Sequence, residues 1–385
     1  MNLQRTRSFA RTRTLLGCAL AMVVAATSAQ AAEPMTVAQR DVVVNALMSR
    51  YTGDAPGASL LVIKDGKAVI RRGYGYANLE KHIKTTPATN YRLASVTKQF
   101  TAASILLLNQ DGKLRLTDPI RKWLPELPAS DAAITIANLL DHSSGLLDYE
   151  NLIPADTKGQ INDADVLRMI ASQHRLYFAP GSAHRYNNGG YVLLGLIVER
   201  ASGMDLADFM STRIFKPLGM THTLMYEHHR GPQVTHRAYG YSRVGGTWKL
   251  TDQDTTSATR GDGGIYTSID DMAKWDAALY DNRLLSDASR QLAFTAHEPT
   301  DDPDFSYGYG WRIGADSLWH SGESMGFRNV IVRWPKQHVA VVILTNRNHG
   351  RPYPLAVTIG HLYLLQNASD LSTAGTATDY HLQQN

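Results

Sequence analysis

The sequence predicts an α/β fold of the α+β kind: an antiparallel sheet built from the N- and C-terminal segments, flanked by helices, with a mostly helical region inserted between them. Three observations carry this. β-patterned runs lie near the start, at 58–75, and return at 308–346. Between them helical periodicity dominates, broken by Gly, Pro and Asn. No internal repeat or linker separates independent units, and 385 residues, 43% of them hydrophobic, suffice for one large core.

In chain order, residues 1–31 read as an export signal: Arg5, Arg7, Arg11 and Arg13, an apolar run from Leu15 to Ala26, then Ala29-Gln30-Ala31 as a small-x-small cleavage site. The run is too short to span a bilayer, so the mature chain is expected to start at Ala32, periplasmic or secreted, without a transmembrane segment. The signal holds four of the 39 basic residues and none of the 35 acidic ones. The remainder is therefore balanced, and the alkaline pI argues for no nucleic-acid partner. Cys18, the only cysteine, also lies in the signal, which leaves the exported chain without disulfides.

The folded domain is expected over 36–366. Residues 36–52 pattern as an amphipathic helix with Val37, Val42, Val43, Val44, Leu47 and Met48 on its apolar side. Strands at 58–63 and 68–75 flank Lys64-Asp65-Gly66-Lys67, a hairpin signal. A helix too apolar for the surface starts at Ser95 and closes at Asp111-Gly112. Further helices are expected at 135–140, 163–173, 189–202, 205–214 and 269–280. Strands at 327–334 and 338–345 enclose Pro335-Lys336-Gln337. A helix at 354–366 precedes a polar tail, 368–385, expected to be disordered.

Three motifs carry the chemistry. Ser95 and Lys98 stand one helical turn apart, where an ammonium can reach a hydroxyl that needs help to become a nucleophile. Tyr186 and Asn188 are two apart in a polar loop before an apolar helix, so both can aim at one place. Tyr186, steadied by Lys98, would be a general base and acid, and Asn188 could donate to a substrate amide. Trp319-His320-Ser321-Gly322-Glu323 reads as a strand in which Gly322 permits close approach of a ligand backbone. Alternation puts His320 and Gly322 on one side, Ser321 and Glu323 on the other.

The order S-x-x-K, Y-x-N, then a basic residue-x-Gly strand resembles the serine penicillin-recognising family of class C β-lactamases, DD-peptidases, D-aminopeptidases and related esterases, over roughly residues 40–366. The segments from Leu139 to Leu146 and from Gly261 to Ser268 are similar to recurrent connecting segments of that family. The resemblance implies a β-lactamase/transpeptidase-like fold. It also implies that Ser95 is acylated with Lys98 assisting, that Tyr186 shuttles the proton and that Asn188 positions substrate. The backbone N–H groups of Ser95 and Glu323 would form the oxyanion hole. His320, counted by the resemblance among the catalytic residues with Ser95, Lys98 and Tyr186, stands where β-lactamases typically carry Lys, which points toward DD-peptidases and D-aminopeptidases. Ser321, Gly322 and Glu323 would line the substrate.

The expected function is an exported serine hydrolase acting through an acyl-enzyme, with no metal and no cofactor, on small-molecule or peptide amides of D-amino-acid type, including peptidoglycan stem peptides. An esterase or weak β-lactamase of the same family is the near alternative, and a non-catalytic penicillin or peptidoglycan binder the distant one. Glu323, if it faced the cleft, would repel a substrate carboxylate and favour neutral or cationic ends. Other candidates fail. His222, Glu227, His228, His229 and His236 lack a zinc spacing. His297 and Glu298 lack the second His of a zincin. Ser143 has Asp141 where a nucleophile elbow requires Gly, and the family resemblance implies that His142 beside it is structural.

Overall fold

The computed structural model describes residues 35–227 and 231–364. The expected export signal, His228, His229 and the tail from 368 lie outside the described residues. The two chain ends meet in one eight-stranded sheet. Its strands are β1 (Ala58–Lys64), β2 (Lys67–Tyr74), β3 (Glu298–Pro299), β4 (Ser306–Tyr307), β5 (Arg312–Ile313), β6 (Leu318–Ser324), β7 (Phe327–Trp334) and β8 (Val339–Thr345). Their spatial order is β3-β4-β5-β6-β7-β8-β1-β2, every pair antiparallel. The closing contact pairs β1 with β8 from Ala58 opposite Thr345 to Lys64 opposite Val339. The β1–β2 turn is the expected one: Asp65 and Gly66 both have positive φ, 51° and 74°, which suits the twist of a two-residue hairpin.

Both faces of the sheet are covered, so its central strands are apolar on both sides. In β8, Val339, Val341 and Ile343 face one core, while Ala340, Val342 and Leu344 face another. The first core is closed by α1 (Val37–Met48) and by a C-terminal helix, Pro352–Leu364. The second is closed by the helical insertion: α2 (Lys98–Gln110), α3 (Ile136–Leu140), α4 (Asp163–Ala171), α5 (Asn188–Ser202), α6 (Leu206–Met210), α7 (Ile269–Ala278) and α8 (Asp287–Phe294); the C-terminal helix is α9. Within it α2 is the axis, buried at every residue from Lys98 to Leu108. Each of its large apolar side chains contributes about 1.5–3 kcal/mol of transfer free energy.

The structure corrects several expectations. In α1 only Val44 and Met48, one turn apart, are buried; Val37 and Val42 stay 80% and 70% exposed, because the helix lays a narrow stripe on the core. The helical stretch near 205–214 continues through a wider-wound turn, Ser211–Phe215. A hairpin (Tyr241–Val244 with Thr247–Leu250) and a three-stranded sheet (Tyr91–Arg92, Leu224–Met225, Ile265–Thr267) interrupt the insertion, and α8 was not expected. The last helix begins at Pro352 rather than at 354, and its described part runs to Leu364.

Candidate active site

The segment carrying Ser95 does not enter α2 directly. Residues Ala94–Thr97 form a tight 3-10 turn, entered by Ala94 at φ 50°, a left-handed conformation that an alanine adopts only when its surroundings enforce it. Those surroundings are specific. Asn329 on β7 donates to the Arg92 carbonyl at 2.7 Å and accepts from the Thr345 N–H at 3.0 Å, tying the turn to the sheet. On the other side, Thr97 Oγ1 accepts from the Ile265 N–H at 3.2 Å, and Thr101 donates to the Gly261 carbonyl at 2.6 Å. The Gly261–Ser268 segment, only a connector by resemblance, is one wall of the turn that carries Ser95. Strand β6 is the other: a Cβ on Gly322 would lie 2.0 Å from the Leu93 carbonyl oxygen, so only glycine lets the strand come this close. Ser95 alone in the turn retains partial exposure.

Lys98 is fully buried, with three partners for three N–H positions. It donates to Asn188 Oδ1 at 2.7 Å and to the Asp262 carbonyl at 3.1 Å, and lies 3.0 Å from Ser95 Oγ. The first two partners can only accept, so they fix two N–H groups. Proton exchange is confined to the third position, the contact with Ser95. Asn188 is brought there by the start of α5, where Asn187 caps the Gly190 N–H at 2.9 Å and anchors the loop through the Leu146 carbonyl at 2.7 Å. The same loop holds the Tyr186 ring, whose centre is 4.9 Å from Lys98 Nζ and 6.2 Å from the His320 ring centre. Ser95, Lys98, Tyr186 and Asn188 are thus assembled as expected.

A model of the Beta-lactamase family matches residues 40–362. The chain belongs to the Beta-lactamase family. Penicillin-binding protein 4* of Bacillus subtilis (strain 168) is 31% identical over 317 residues, 78% of this chain and 70% of that protein. This chain spans 60% to 70% of the length of the first curated relatives it matches. The octameric penicillin-binding protein homologue from Pyrococcus abyssi has a TM-score of 0.76 at 26% identity, covering 86% of this chain and 78% of that one. The D-amino acid amidase from Ochrobactrum anthropi SV3 has a TM-score of 0.68 at 26% identity, covering 80% and 91%. As a Beta-lactamase family member the chain is a serine hydrolase with the β-lactamase/transpeptidase-like fold.

Within this family frame, two residues of the third motif sit differently from expectation. His320 is buried, its Nδ1 2.6 Å from the Ser321 carbonyl and its Nε2 2.9 Å from the Tyr307 hydroxyl. The carbonyl can only accept, so Nδ1 carries the proton and Nε2 accepts from Tyr307. Burial, then the Arg312 and Lys98 charges, push His320 down to about 3, so it is neutral. Neither ring nitrogen is open to substrate, and the direct catalytic role expected for His320 becomes one of supporting the Tyr186 surroundings. Glu323 lies on the opposite strand face with Ser321, as the alternation predicts, and pairs with Arg328 at 3.1 Å across the β6–β7 ladder. Its charge is met, and the expected repulsion of a substrate carboxylate falls away. Ser321 and Glu323 side chains line a separate cavity of about 240 Å³ with Phe305, Trp319 and Tyr353.

The motifs did not reveal several groups. Asp148, buried and raised by that burial, accepts from the Asn188 N–H at 2.8 Å. Glu150 accepts from Asn188 Nδ2 at 2.9 Å; desolvation, then the Asp148 and Asp262 carboxylates, push it up to about 7. His142, fully buried, lies under Tyr186 with ring centres 4.4 Å apart. Its Nδ1 accepts from the Asn187 N–H at 3.2 Å, and burial followed by the Lys98 charge holds it well below the usual imidazole range. Ser143 is rejected as a nucleophile: its hydroxyl is fully buried and bonded to Asp141 at 2.6 Å. Among the described residues no group of three or more His, Cys, Asp or Glu could hold a metal ion, and no helix is long and apolar enough to cross a membrane.

Proposed function

We propose that this chain is an exported acyl-transferring hydrolase of amide bonds of D-amino-acid type, in which Ser95 is the nucleophile. The observation that carries the reading is the contact of Lys98 with Ser95 while its other two N–H groups are held by Asn188 and Asp262. In acylation a bond forms from Ser95 Oγ to the substrate carbonyl carbon, and the C–N bond breaks. The hydroxyl proton passes through Tyr186 to the leaving nitrogen, while Lys98 assists by steadying the Ser95 oxygen. Developing negative charge on the carbonyl oxygen is received by the Ser95 and Glu323 backbone N–H groups, a contribution of a few kcal/mol. Water, deprotonated along the same path, then attacks the ester and frees Ser95. The likeness to penicillin-binding protein 4* and to the D-amino acid amidase supports the amide reading, with peptidoglycan stem peptides among the substrates. Export rests on residues 5–31.

One experiment tests both parts. Protein recovered from the periplasm or medium should have the mass of a chain beginning at Ala32. Incubated with D-alanyl peptides, D-amino-acid amides, penicillins and p-nitrophenyl esters, it should gain acyl mass at Ser95 and turn over the D-amides, while Ser95→Ala gains none. Acyl mass on another serine, or retention in the cytoplasm at full length, overturns the corresponding part.

A further inference from the structure

Tyr186 is gripped from both sides by one residue. The N–H groups of its two chain neighbours donate to the same histidine: Arg185 to the His142 carbonyl at 3.0 Å, and Asn187 to His142 Nδ1 at 3.2 Å. His142 does this at φ 63°, a left-handed conformation that a histidine keeps where its surroundings fix it. They do so here: the N–H of the following residue, Ser143, is taken by the Asn138 carbonyl at 2.9 Å and by Asp141 at 3.1 Å. The His142 ring is buried, its centre 4.4 Å from that of Tyr186, 4.5 Å from the edge-on ring of Tyr307 and 5.1 Å from Tyr191.

The partners fix the form of the ring. A backbone N–H can only donate, so Nδ1 is an acceptor and the proton of the neutral ring sits on Nε2. Among the described residues Nε2 has no hydrogen-bonding partner and is left to the aromatic rings around it. A second ring proton would have to break the Asn187 bond and add a cation near Lys98 and Arg312, with His184 and His320 the only other titratable imidazoles facing it. One polar atom of the side chain is therefore used, and it is used on the amide next to Tyr186. Filling space under the tyrosine would need no such atom. We propose that His142 is a positioning residue, whose Nδ1 lone pair holds the Asn187 amide and so aims the Tyr186 hydroxyl at Ser95 and the leaving nitrogen. The inference rests on the shuttle role of Tyr186 proposed above, and it names the group that aims the shuttle.

The test reads acylation of Ser95 by D-alanine p-nitroanilide and by the matching p-nitrophenyl ester. The aniline nitrogen must receive a proton to leave, whereas p-nitrophenolate leaves without one. His142→Phe keeps a ring under Tyr186 but has no acceptor. It should lower kcat on the anilide about a hundredfold with little change in KM, the cost of a shuttle misplaced by about 1 Å, and should lower the ester rate less. His142→Asn offers an amide oxygen in place of Nδ1 and tolerates positive φ, so it should recover about tenfold or more of that loss. In a Tyr186→Phe background, His142→Phe should have almost no further effect. A ring nitrogen signature by 15N NMR needs no variant to fold: in wild type Nδ1 should be bare and Nε2 protonated. The opposite tautomer, a His142→Asn as slow as His142→Phe, or a His142→Phe loss that is equal on both substrates or undiminished without the Tyr186 hydroxyl overturns the assignment. The two ideas fail separately. A slow Tyr186→Phe beside an unslowed His142→Phe removes His142 alone, whereas wild-type rates in Tyr186→Phe remove the shuttle and this inference with it.

Discussion

Glu150 is the residue at which the chemistry of the site meets solvent. It is exposed, yet its carboxyl is bonded to Asn188 and crowded by Asp148 and Asp262, which together with desolvation bring it to about 7. A carboxyl raised in the fold keeps its proton where the unfolded chain, near the ordinary value of 4.5, has lost it. Its contribution therefore favours the fold least once pH has risen past 7. Glu150→Gln should accordingly melt above wild type at pH 8 and alongside it near pH 4. Because Asn188 links Glu150 to Lys98, the same substitution should remove an inflection near pH 7 from the kcat/KM profile. Thermal unfolding and rate profiles that run parallel for the two proteins would detach Glu150 from the site. Ser95, Lys98, Tyr186 and Asn188 were legible because each pair is spaced within one local element. Glu150 and Asp148 were not, since nothing in their own neighbourhood marks them; the fold brings the one loop that carries both to the start of α5. Asp262 stood in a quoted segment, but its part is played by a backbone carbonyl, which no side-chain pattern displays.

At the scale of elements, what was legible had either period or turn chemistry. The Asp65-Gly66 turn, the strands over 327–345 and the apolar length of α2 were read close to their observed bounds. The two- and three-residue strands around Tyr91, Met225 and Tyr266 are too short to show any period. The Gly245-Gly246 hairpin did carry its signal, two glycines now seen at φ 56° and 82°, but was absorbed into a region read as helical. The start of α2 is where tertiary contacts override the local pattern: the Ser-x-x-Lys spacing predicts one continuous helical turn, whereas strand β6 and the Gly261–Gly264 segment hold Ala94–Thr97 in a tighter one. Gly322→Ala should show the reliance on β6. Its added methyl would overlap the Leu93 carbonyl, so the strand must withdraw from the Ser95 turn. We expect a loss of stability of about 1–3 kcal/mol and a fall in the Ser95 acylation rate of about a hundredfold, as an approach of roughly 1 Å is lost. Phosphonate labelling kinetics and a urea melt measure the two, and wild-type labelling would show that β6 does not need to touch the turn.

For the whole molecule, joining the chain ends through β1 and β8 makes the sheet a platform on which a long insertion can be mounted, and this much followed from strands at both ends of the sequence. The site lies at the seam between sheet and insertion, and the seam is lined with neutral imidazoles: His142, His184 and His320 are all held below the ordinary range, in each case by burial first. For His320 the ordinary value of 6.5 falls to about 3. Between those values the unfolded chain binds a proton that the fold refuses, so the stability due to the neutral ring is complete above pH 6.5 and is lost as pH falls toward 3. Buried carboxyls work the other way: Asp163, raised to about 6 by burial, favours the fold as pH falls, so the wild-type melting curve alone does not isolate the histidines. The difference between wild type and His320→Gln does. A glutamine cannot titrate, and its amide can donate to the Ser321 carbonyl. Two pH units below 6.5 correspond to about 3 kcal/mol, so moving from pH 7 to pH 4.5 should improve the variant relative to wild type by that order. Denaturant unfolding of both proteins at the two pH values provides the number. If the gap between them does not change with pH, His320 titrates alike in the folded and unfolded chain, and the neutral ring inferred from its bonds to Tyr307 and Ser321 is wrong.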